Sequence, residues 1–276
     1  MDKPLDINFD QERNSGQRFG FGKNWNSFLK TLNKDRIEQA EQSICEMLDV
    51  KDLNGIKWLD IGSGSGLFSL AARRLGAHVY SFDYDPESVA CTEYLRSRFF
   101  ANDEYWHVER GSVLDDEYIK SLGKFDIVYS WGVLHHTGEM WNAIQNATLP
   151  VKPNGKLFIA IYNDQGFRSD MWFNIKKIYC SGLPGQIVTM AACIPYFFSR
   201  TLIKSFIKGR NEFAAYKKER GMSVIHDWID WIGGLPFEVA SPEKIISFLK
   251  VRGFDLQKMK TTKGLGNNQF VFIKSK

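Results

Sequence analysis

The chain has 276 residues, of which 43% are hydrophobic and 25% are charged, and its formal net charge at pH 7 is +4. This composition is that of an ordinary globular protein with one substantial core and a modest appendage. The charge is well below the concentrated Lys/Arg field that non-specific nucleic-acid binding needs, so no nucleic-acid partner is expected. The cysteines form no C-x-x-C pair, which argues against a disulfide or zinc framework and favours a cytoplasmic protein. The first residues contain no apolar run, so no signal peptide is expected.

Short apolar strands and amphipathic helices alternate from about residue 56, which is typical of a parallel sheet covered by helices. Strands are predicted at IKWLDI, HVYSFD, YWHVERGS, FDIVYS and KLFIAIYN. Helices are predicted at LFSLAARRLG, PESVACTEYLRSRF and MWNAIQNATLPVKPNG, the last closed by a Pro/Gly turn. Near the C-terminus, a helix capped by Ser241 precedes two strands, FDLQKMKTT and NQFVFIK, which the short KGLGNN turn joins as an antiparallel pair.

Two further segments lie outside this alternating pattern. Residues 1–54 include the amphipathic stretch WNSFLKTLNKDRIEQAEQSICEML and are predicted to form a helical cap over one side of the site. Within them, the glycine-spaced aromatic residues of RFGFGKNWNSF fit either an N-terminal flap or ordinary packing of a coil. Residues 164–240 are too many for a connection and too aromatic for a linker, so they are predicted to be an inserted helical lid. The main domain then consists of residues 55–163 and 241–276.

The segment at 178–199 contains no charged residue over a length that could nominally span a bilayer. Proline and glycine interrupt it and leave about a dozen continuous apolar residues, a length more usual for a buried or interfacial helix. We therefore expect a buried lid or homodimer helix. The alternatives are peripheral contact between residues 186–208 and the inner face of a membrane, and a true membrane span. The basic residues that follow suit either a lipid headgroup surface or a solvated helix face: Arg200, Lys204, Lys208 and Arg210.

The loop after the first predicted strand, in WLDIGSGSGLF, is where a cofactor is expected. Glycine is needed where the backbone takes positive φ or where a ligand lies against it, and the N–H groups that begin the next helix favour polar or anionic ligand groups. A dinucleotide fingerprint, G-x-G-x-x-G, would need glycine at position 67, where this chain has Leu67. Asp60, two residues before the first glycine, can accept hydrogen bonds from a cationic amino group and would repel a pyrophosphate. The spacing therefore argues against a dinucleotide.

Three further motifs follow in order: VYSFDYDPESV, ERGSVLD and FDIVYSWGVLHHTG. Together with the glycine loop they resemble the class I S-adenosylmethionine-dependent methyltransferases, over residues 56–163 and again over 241–276. The resemblance implies an α/β fold with a Rossmann-like, seven-stranded, mostly parallel sheet, helices on both faces and an antiparallel last strand. It also implies S-adenosylmethionine as the cofactor, with S-adenosylhomocysteine as the product.

The resemblance further implies which residues contact the cofactor. Asp83, at the end of the second strand, would hold both ribose hydroxyls, and Tyr84 would pack on the adenine. Ser112 stands where the family often has an acid or amide at the adenine amino group, so that contact would come from Ser112 or from the backbone of Val113. The remaining implied contacts come from the glycine loop and from residues near the methionine part: Asp60, Gly62, Ser63, Gly64, Gly66, Ser130 and Trp131.

The residues after the fourth strand bear on what is methylated. They are SWGV rather than the N/D-P-P-Y/F loop of enzymes that methylate base amines, and there is no T-C or P-C nucleophile for pyrimidine chemistry. In VLHHT, His135 and His136 would lie near the methyl end of the cofactor, where a neutral imidazole could take the proton of an attacking hydroxyl. The alternative is that one histidine caps a helix and the other packs in the core. No third residue has convincing metal-ligand spacing, so no metal is expected.

The lid contains HDWIDWIGG, in which carboxylates and tryptophans alternate. On a helix, Asp227, Asp230 and Trp231 share one face, which could bind a sugar or cyclic polyol, with Asp227 as a third catalytic candidate; the alternative is ordinary lid packing. We predict a methyltransferase that O-methylates a small-molecule hydroxyl on a glycan, lipid-linked, quinone or natural-product acceptor. The alternatives are an RNA or protein methyltransferase, a non-catalytic cofactor-binding protein and an NAD-dependent dehydrogenase.

Overall fold

Seven strands form one mixed sheet in the computed structural model, which describes residues 4–213 and 224–275. They are β1 Lys57–Ile61, β2 His78–Asp83, β3 Trp106–Arg110, β4 Phe125–Trp131, β5 Val151–Tyr162, β6 Phe254–Lys260 and β7 Asn267–Lys274. Their order in the sheet is β3-β2-β1-β4-β5-β7-β6, and β7 is antiparallel to both of its neighbours. The predicted fold class, a Rossmann-like and mostly parallel seven-stranded sheet, is confirmed.

Helices cover both faces of the sheet. They are α1 Pro4–Asn14, α2 Gly22–Leu29, α3 Lys34–Leu48, α4 Leu67–Arg74, α5 Pro86–Phe99, α6 Asp116–Ser121, α7 Met140–Thr148, α8 Phe167–Cys180, α9 Leu183–Lys208, α10 Val224–Gly233 and α11 Pro242–Lys250. Because side chains alternate along a strand, Trp58 of β1 lies in a core shared with α3, α4 and α5, while Leu59 and Ile61 lie in a core shared with α6, α7 and α11. This leaves the carboxyl ends of the parallel strands for the loops that form the site.

Two regions of the sheet differ from the sequence prediction. β5 begins at Val151, so the Pro/Gly stretch that was predicted to be a turn lies inside the strand. Phe125 pairs with Val151 and Ile127 with Lys156, which leaves a bulge between them, where Asn154 has φ +60°. The chain also forms α6 between β3 and β4, which the periodicity did not predict because this helix has only 6 residues.

The N-terminal stretch that was predicted as one amphipathic segment is divided into α2 and α3. Asn33 caps α3, since its side chain accepts a hydrogen bond from the backbone N–H of Arg36 at 3.1 Å. The extended conformation of Asn33 ends any continuous helix at this point. As a result, α3 packs against α4 whereas α2 packs against α5. Trp25 of α2 lies against Gly64 of the glycine loop.

The helices α8, α9 and α10 occupy the segment that was predicted to be a lid. They share a small apolar cluster with the turn after α10: Trp172, Tyr179, Cys193, Ile232, Leu235 and Phe237. In α9 the buried positions recur every fourth residue, at Gly185, Thr189 and Cys193. Only 11% of the most apolar part of α9 is inside the protein, so this helix is not buried within the chain, and the homodimer or membrane contact expected for it stays a prediction. Among the described residues, α9 is the one helix long and apolar enough to cross a membrane.

Candidate cofactor and acceptor site

The glycine loop lies between β1 and α4, at the carboxyl edge of the sheet. Gly62, Gly64 and Gly66 all have positive φ, at +76°, +54° and +78°. A Cβ atom at Gly62 would lie 2.4 Å from the side chain of Val133, in the loop after β4. One at Gly64 would lie 3.2 Å from the indole of Trp25. Backbone conformation and close packing therefore both require glycine in this loop.

Gly62→Ala is expected to lower the free energy of unfolding by about 2–4 kcal/mol, because the new Cβ combines an unfavourable positive φ with overlap on Val133. Gly123→Ala is the matched control, since Gly123 has φ +82° with open space around the Cβ position. Gly123→Ala is expected to lower the free energy of unfolding by about 1–2 kcal/mol, which is the cost of the positive φ without any overlap. Urea unfolding measures both variants, and equal costs would show that Val133 does not restrict the loop.

Two carboxylates lie beside the loop, near the ends of β1 and β2. The Oδ2 atom of Asp83 accepts a hydrogen bond from the N–H of Gly64 at 2.8 Å, and its Oδ1 atom accepts one from the N–H of Asp85 at 2.9 Å. Asp60 is almost fully buried and accepts a hydrogen bond from the hydroxyl of Ser69 at 2.5 Å. The structure thus brings together the loop and both acids that the sequence singled out.

Burial governs the protonation of these two carboxylates. It raises the pKa of Asp60 to about 7; the Ser69 hydroxyl opposes this rise and the charge of Asp83 adds to it. Burial also raises the pKa of Asp83 to about 6, against the hydrogen bonds from Gly64 and Asp85. Ligand groups that donate hydrogen bonds or carry positive charge would stabilise the ionised forms. The pair therefore fits a ribose diol and a cationic amino group, whereas a pyrophosphate would add repulsion.

Arg18 connects the N-terminal segment to both sides of the site. Its guanidinium forms an ion pair with Glu12 at 2.5 Å and lies 5.0 Å from the ring centroid of Tyr84. It also donates a hydrogen bond to the backbone carbonyl of His136 at 3.1 Å. The Tyr84 ring is edge-on to Phe9, with centroids 5.5 Å apart. Sequence reasoning missed Phe9 and Glu12, because only the fold brings α1 beside Tyr84.

The turn before α2 closes over the same edge of the sheet. The Gly22 N–H donates a hydrogen bond to Asp85 at 2.9 Å, and the Phe21 ring lies 5.1 Å from that of His136. With Trp25 against the glycine loop, these contacts place the N-terminal segment over the site. These contacts agree with both interpretations of RFGFGKNWNSF, ordinary packing and a flap, so the flap stays a prediction.

Ser112 and Val113 lie in the turn between β3 and α6. The Ser112 hydroxyl accepts a hydrogen bond from the N–H of Leu114 at 3.2 Å. The carbonyl of Val113 accepts one from the side-chain amide of Asn146 at 2.9 Å, which ties the turn to α7. Their proposed contact with an adenine amino group stays a prediction.

The other predicted cofactor-binding residues differ in whether their side chains are free to contact a ligand. The Ser63 hydroxyl lies 2.9 Å from that of Thr92. Ser130 is fully buried, and its hydroxyl donates to the carbonyl of Ile61 at 2.9 Å, so any ligand contact at this position falls to its backbone. Trp131 is 38% exposed and stacks on a phenylalanine of α4, with ring centroids 6.3 Å apart.

His135 and His136 lie in a 3-10 turn after β4, and their hydrogen bonds assign them opposite tautomers. The Nδ1 atom of His136 is 2.6 Å from the carbonyl oxygen of Pro236, which can only accept, so Nδ1 carries the proton. The Nδ1 atom of His135 lies 3.4 Å from the backbone N–H of Tyr162, which can only donate, so the His135 proton is on Nε2. His136 therefore has a lone pair on Nε2, whereas His135 has an N–H there.

Both imidazoles are buried in the neutral form. The pKa of His136 is lowered to about 3, chiefly by burial and also by the charges of Lys176 and Arg18, while the Pro236 carbonyl opposes this change. Burial also lowers the pKa of His135 well below its usual value, with His136 and Lys176 adding to the effect. The Nε2 atom of His135 is buried and has no hydrogen-bond partner in the described part of the chain. An unpaired buried donor costs about 1–3 kcal/mol, so a group of this kind is expected where a ligand supplies the acceptor.

The helices α8 and α10 and the turn that follows α10 lie beside the histidines. Lys176 of α8 is fully buried: its ammonium donates to the carbonyl of Trp231 and lies 4.8 Å from the ring centroids of Trp231 and Phe237. Tyr162, at the end of β5, stacks on His135 at 4.0 Å and lies 5.3 Å from Trp231. Aromatic rings and one buried cation thus surround the two imidazoles.

Sequence reasoning named one charged residue in this part of the site and missed another. Asp227 lies in α10, but its side chain is outside the described part of the structure, so its contact with a substrate stays a prediction. Sequence reasoning missed Lys176, because the adjacent Lys177 is exposed and no local pattern distinguishes the two. Over residues 4–213 and 224–275, no group of three or more His, Cys, Asp or Glu side chains could hold a metal ion.

The sheet order, the glycine loop and the acids near the ends of β1 and β2 define a Rossmann-like domain whose carboxyl edge fits an adenosyl cofactor. Residues 32–225 match the family model described as a methyltransferase domain. The chain belongs to this methyltransferase-domain family.

Proteins of known structure share the fold, and curated relatives match about half of the chain. The magnesium protoporphyrin IX methyltransferase of Synechocystis PCC 6803, solved with bound SAH, aligns with a TM-score of 0.53 at 14% identity over 87% of this chain and 83% of that chain. The cyclase SpnF aligns with a TM-score of 0.53 at 12% identity over 86% and 80%. Both likenesses show the fold alone. The ubiquinone biosynthesis O-methyltransferase of Pelagibacter ubique is 28% identical over 139 residues, 49% of this chain and 55% of the relative. The chain spans about half the length of the curated relatives it matches.

Proposed function

We propose that this protein is an S-adenosylmethionine-dependent methyltransferase that O-methylates a hydroxyl group of a small, largely apolar acceptor. The observation that carries the proposal is that the acid-lined glycine loop and the neutral His136 lie at one edge of the sheet. Membership of the methyltransferase-domain family supports methyl transfer. The curated relatives, named as O-methyltransferases of ubiquinone biosynthesis, support a hydroxyl acceptor.

The chain's own residues would hold the cofactor through complementary charge and hydrogen bonding. Asp83 would accept hydrogen bonds from the ribose hydroxyls, and Asp60 would stabilise the cationic amino group. The three positive-φ glycines allow close approach of the loop backbone. When bound, S-adenosylmethionine supplies a methyl group attached to a positively charged sulfur. Its positive charge agrees with a site that presents two buried carboxylates.

His136 is the residue best suited to take the proton of an acceptor hydroxyl. The Pro236 carbonyl holds its Nδ1–H, which leaves the Nε2 lone pair as the acceptor, and no described residue hydrogen-bonds to that atom. Its low pKa keeps the imidazole neutral at neutral pH. His135, which carries its proton on Nε2, would instead donate a hydrogen bond that orients the acceptor. The two tautomers therefore provide one proton acceptor and one donor.

The walls around the histidines favour an acceptor with an apolar body. The rings of Phe21 and Tyr162 lie against the imidazoles, and Trp231 and Phe237 pack around Tyr162. Aromatic walls suit a phenol, a quinol or a lipid-linked hydroxyl compound. A sugar would stack on the same rings but would need several polar partners as well, which makes a glycan the second choice.

Calorimetric titration with S-adenosylhomocysteine, with NAD as the control ligand, tests the cofactor assignment. Micromolar binding of S-adenosylhomocysteine alone is expected, and binding of NAD instead would overturn the assignment. Transfer is then measured with labelled methyl donor and a panel of phenols, prenylated quinols and glycosides, with the product identified by mass spectrometry. Cofactor binding together with N- or C-methylated products alone would overturn the hydroxyl assignment. Cofactor binding without transfer to any acceptor would favour a non-catalytic binding protein.

Cofactor binding is expected to release protons between about pH 6 and 7. Asp60 and Asp83 have pKa values of about 7 and about 6, so each is partly protonated in this range. A ligand that binds the ionised carboxylates lowers both pKa values, so its affinity rises with pH, by up to about tenfold per pH unit where one group titrates. Calorimetry in two buffers that differ in ionisation enthalpy measures the released protons. Zero release would show that both carboxylates are already ionised in the free protein.

We also infer that the protein is cytoplasmic, either free in the cytosol or peripheral to the inner face of a membrane. The four cysteines are free thiols in the structure, which supports a reducing compartment. Cell fractionation tests this inference: recovery with the cytosol or with washed inner-face membranes would support it, and recovery from an oxidising compartment would overturn it.

A further inference from the structure

We propose that the outer face of α9 docks on a membrane surface that contains anionic lipid. The outer face is defined by exposed apolar side chains that lie three or four residues apart and are therefore neighbours on the helix: Phe198, Leu202, Ile203, Phe206 and Ile207. Phe206 and Ile207 are 90% and 76% exposed. A contiguous apolar surface on a folded protein marks an interaction site. Docking of this face does not depend on the proposed reaction.

The inner face of α9 packs against α8 and α10. The Phe197 ring stacks on Trp172 and on Trp228, with centroids 5.6 Å apart in each case. Thr189 and Cys193 are buried on the same face. A helix that crossed the bilayer would have to break these contacts or carry α8 and α10 into the hydrocarbon. The geometry therefore favours a helix that lies in the plane of the interface, with its outer face toward lipid.

A stripe of cations follows one edge of the outer face. Arg200, Lys204 and Lys208 recur every fourth residue, so they lie on one side of the helix. Ile203 and Ile207 lie three residues after Arg200 and Lys204, which makes these apolar and basic side chains neighbours. An apolar face edged by lysine and arginine is the arrangement of helices that bind anionic membrane surfaces.

The charge at the end of α9 distinguishes lipid from a second copy of this chain. Residues 183–211 include no acidic residue. Glu212 pairs with Lys204 at 3.2 Å, with Lys208 at 3.5 Å and with Arg210 at 2.6 Å. With Arg200, four cations and one carboxylate leave a local charge of 4 − 1 = +3. A second copy would bring the same positive charge to the interface and no acidic partner for it, whereas anionic headgroups would neutralise it.

Co-sedimentation of the full chain with phosphatidylcholine vesicles, with and without phosphatidylglycerol, tests the proposal. Stronger binding is expected with the anionic lipid, and added salt is expected to weaken it. Phe206→Ser combined with Ile207→Ser is expected to lower the partition coefficient about thirtyfold, because two apolar side chains no longer enter the lipid. Arg200→Gln combined with Lys204→Gln is expected to lower it about tenfold, on anionic vesicles only.

Val251→Ser is the matched control, because Val251 is 81% exposed just after α11, and it is expected to leave vesicle binding unchanged. Thermal unfolding shows that each variant is folded, and titration with S-adenosylhomocysteine tests the proposed function separately. Failure of the wild-type chain to sediment with either vesicle would overturn the docking proposal. So would a wild-type dimer that the Phe206 and Ile207 substitutions convert to a monomer, with no vesicle binding by either form.

Discussion

Asp83→Ala is expected to weaken the binding of S-adenosylhomocysteine about a thousandfold, measured by calorimetry. The Asp83 carboxylate accepts the Gly64 N–H at 2.8 Å and is the acceptor that we assign to the ribose hydroxyls. A hydrogen bond to a charged group is worth about 1.5–3 kcal/mol, so losing two of them corresponds to about 3–6 kcal/mol. Loss of the Gly64 contact also loosens the glycine loop, which acts in the same direction.

Asp126→Ala is the matched control for the Asp83 substitution. Asp126 lies at the amino end of β4, where it pairs with Lys152 at 2.7 Å, on the edge of the sheet opposite the site. Its removal is expected to leave cofactor affinity unchanged. The assignment is contradicted if folded Asp83→Ala binds S-adenosylhomocysteine with an affinity within about tenfold of the wild type. The lost binding free energy would then be smaller than that of one or two charge-assisted hydrogen bonds, and Asp83 would not be the ribose acceptor.

His136→Ala is expected to lower kcat on the true acceptor about a thousandfold, as loss of a general base does, while affinity for S-adenosylhomocysteine changes by less than about twofold. Of the two histidines after β4, His136 is the one with an unprotonated ring nitrogen, Nε2, that accepts no hydrogen bond from a described residue, and the substitution removes it. Because burial lowers the pKa of His136 to about 3, the wild-type rate at saturating cofactor is expected to show no acidic limb near pH 6.5, the usual pKa of histidine. Single-turnover rates across this pH range measure both effects.

His107→Ala is the matched control for the His136 substitution. His107 is exposed on β3, where it pairs with Glu109 at 3.2 Å, and its removal is expected to leave kcat unchanged. His135→Ala is expected to lower the rate less than His136→Ala, because a neighbouring donor orients the acceptor but takes no proton. If His135→Ala and His136→Ala both turn over at the wild-type rate, neither imidazole takes part in the reaction.

The order of strands and helices could be predicted because the two kinds of element have different periodicities, 2.0 and 3.6 residues. Prediction was wrong where local residues and long-range pairing favour different structures. The Pro/Gly stretch before Lys156 favours a turn, yet Val151 pairs with Phe125, which keeps the whole stretch in β5 as a bulge around Asn154. A strand partner more than twenty residues away decided that conformation.

The cofactor side of the site could be predicted further than the acceptor side. Asp60, the three glycines and Asp83 belong to two strand ends, and their spacing is a local property of the sequence. The acceptor side depends on contacts between distant segments. The tautomer of His136 depends on Pro236, and the cover over Tyr84 depends on Arg18 and the first helix.

The sequence by itself determined the sheet, the glycine loop and the positions of the acids, because strand alternation and the backbone needs of a tight turn involve only neighbouring residues. Only the tertiary structure decided which imidazole nitrogen carries the proton, that Lys176 rather than Lys177 is buried, and which face of α9 stays exposed. Each of these depends on groups brought together from distant parts of the chain. A helix that is apolar on nearly every side contains no local signal for which face the rest of the protein will cover.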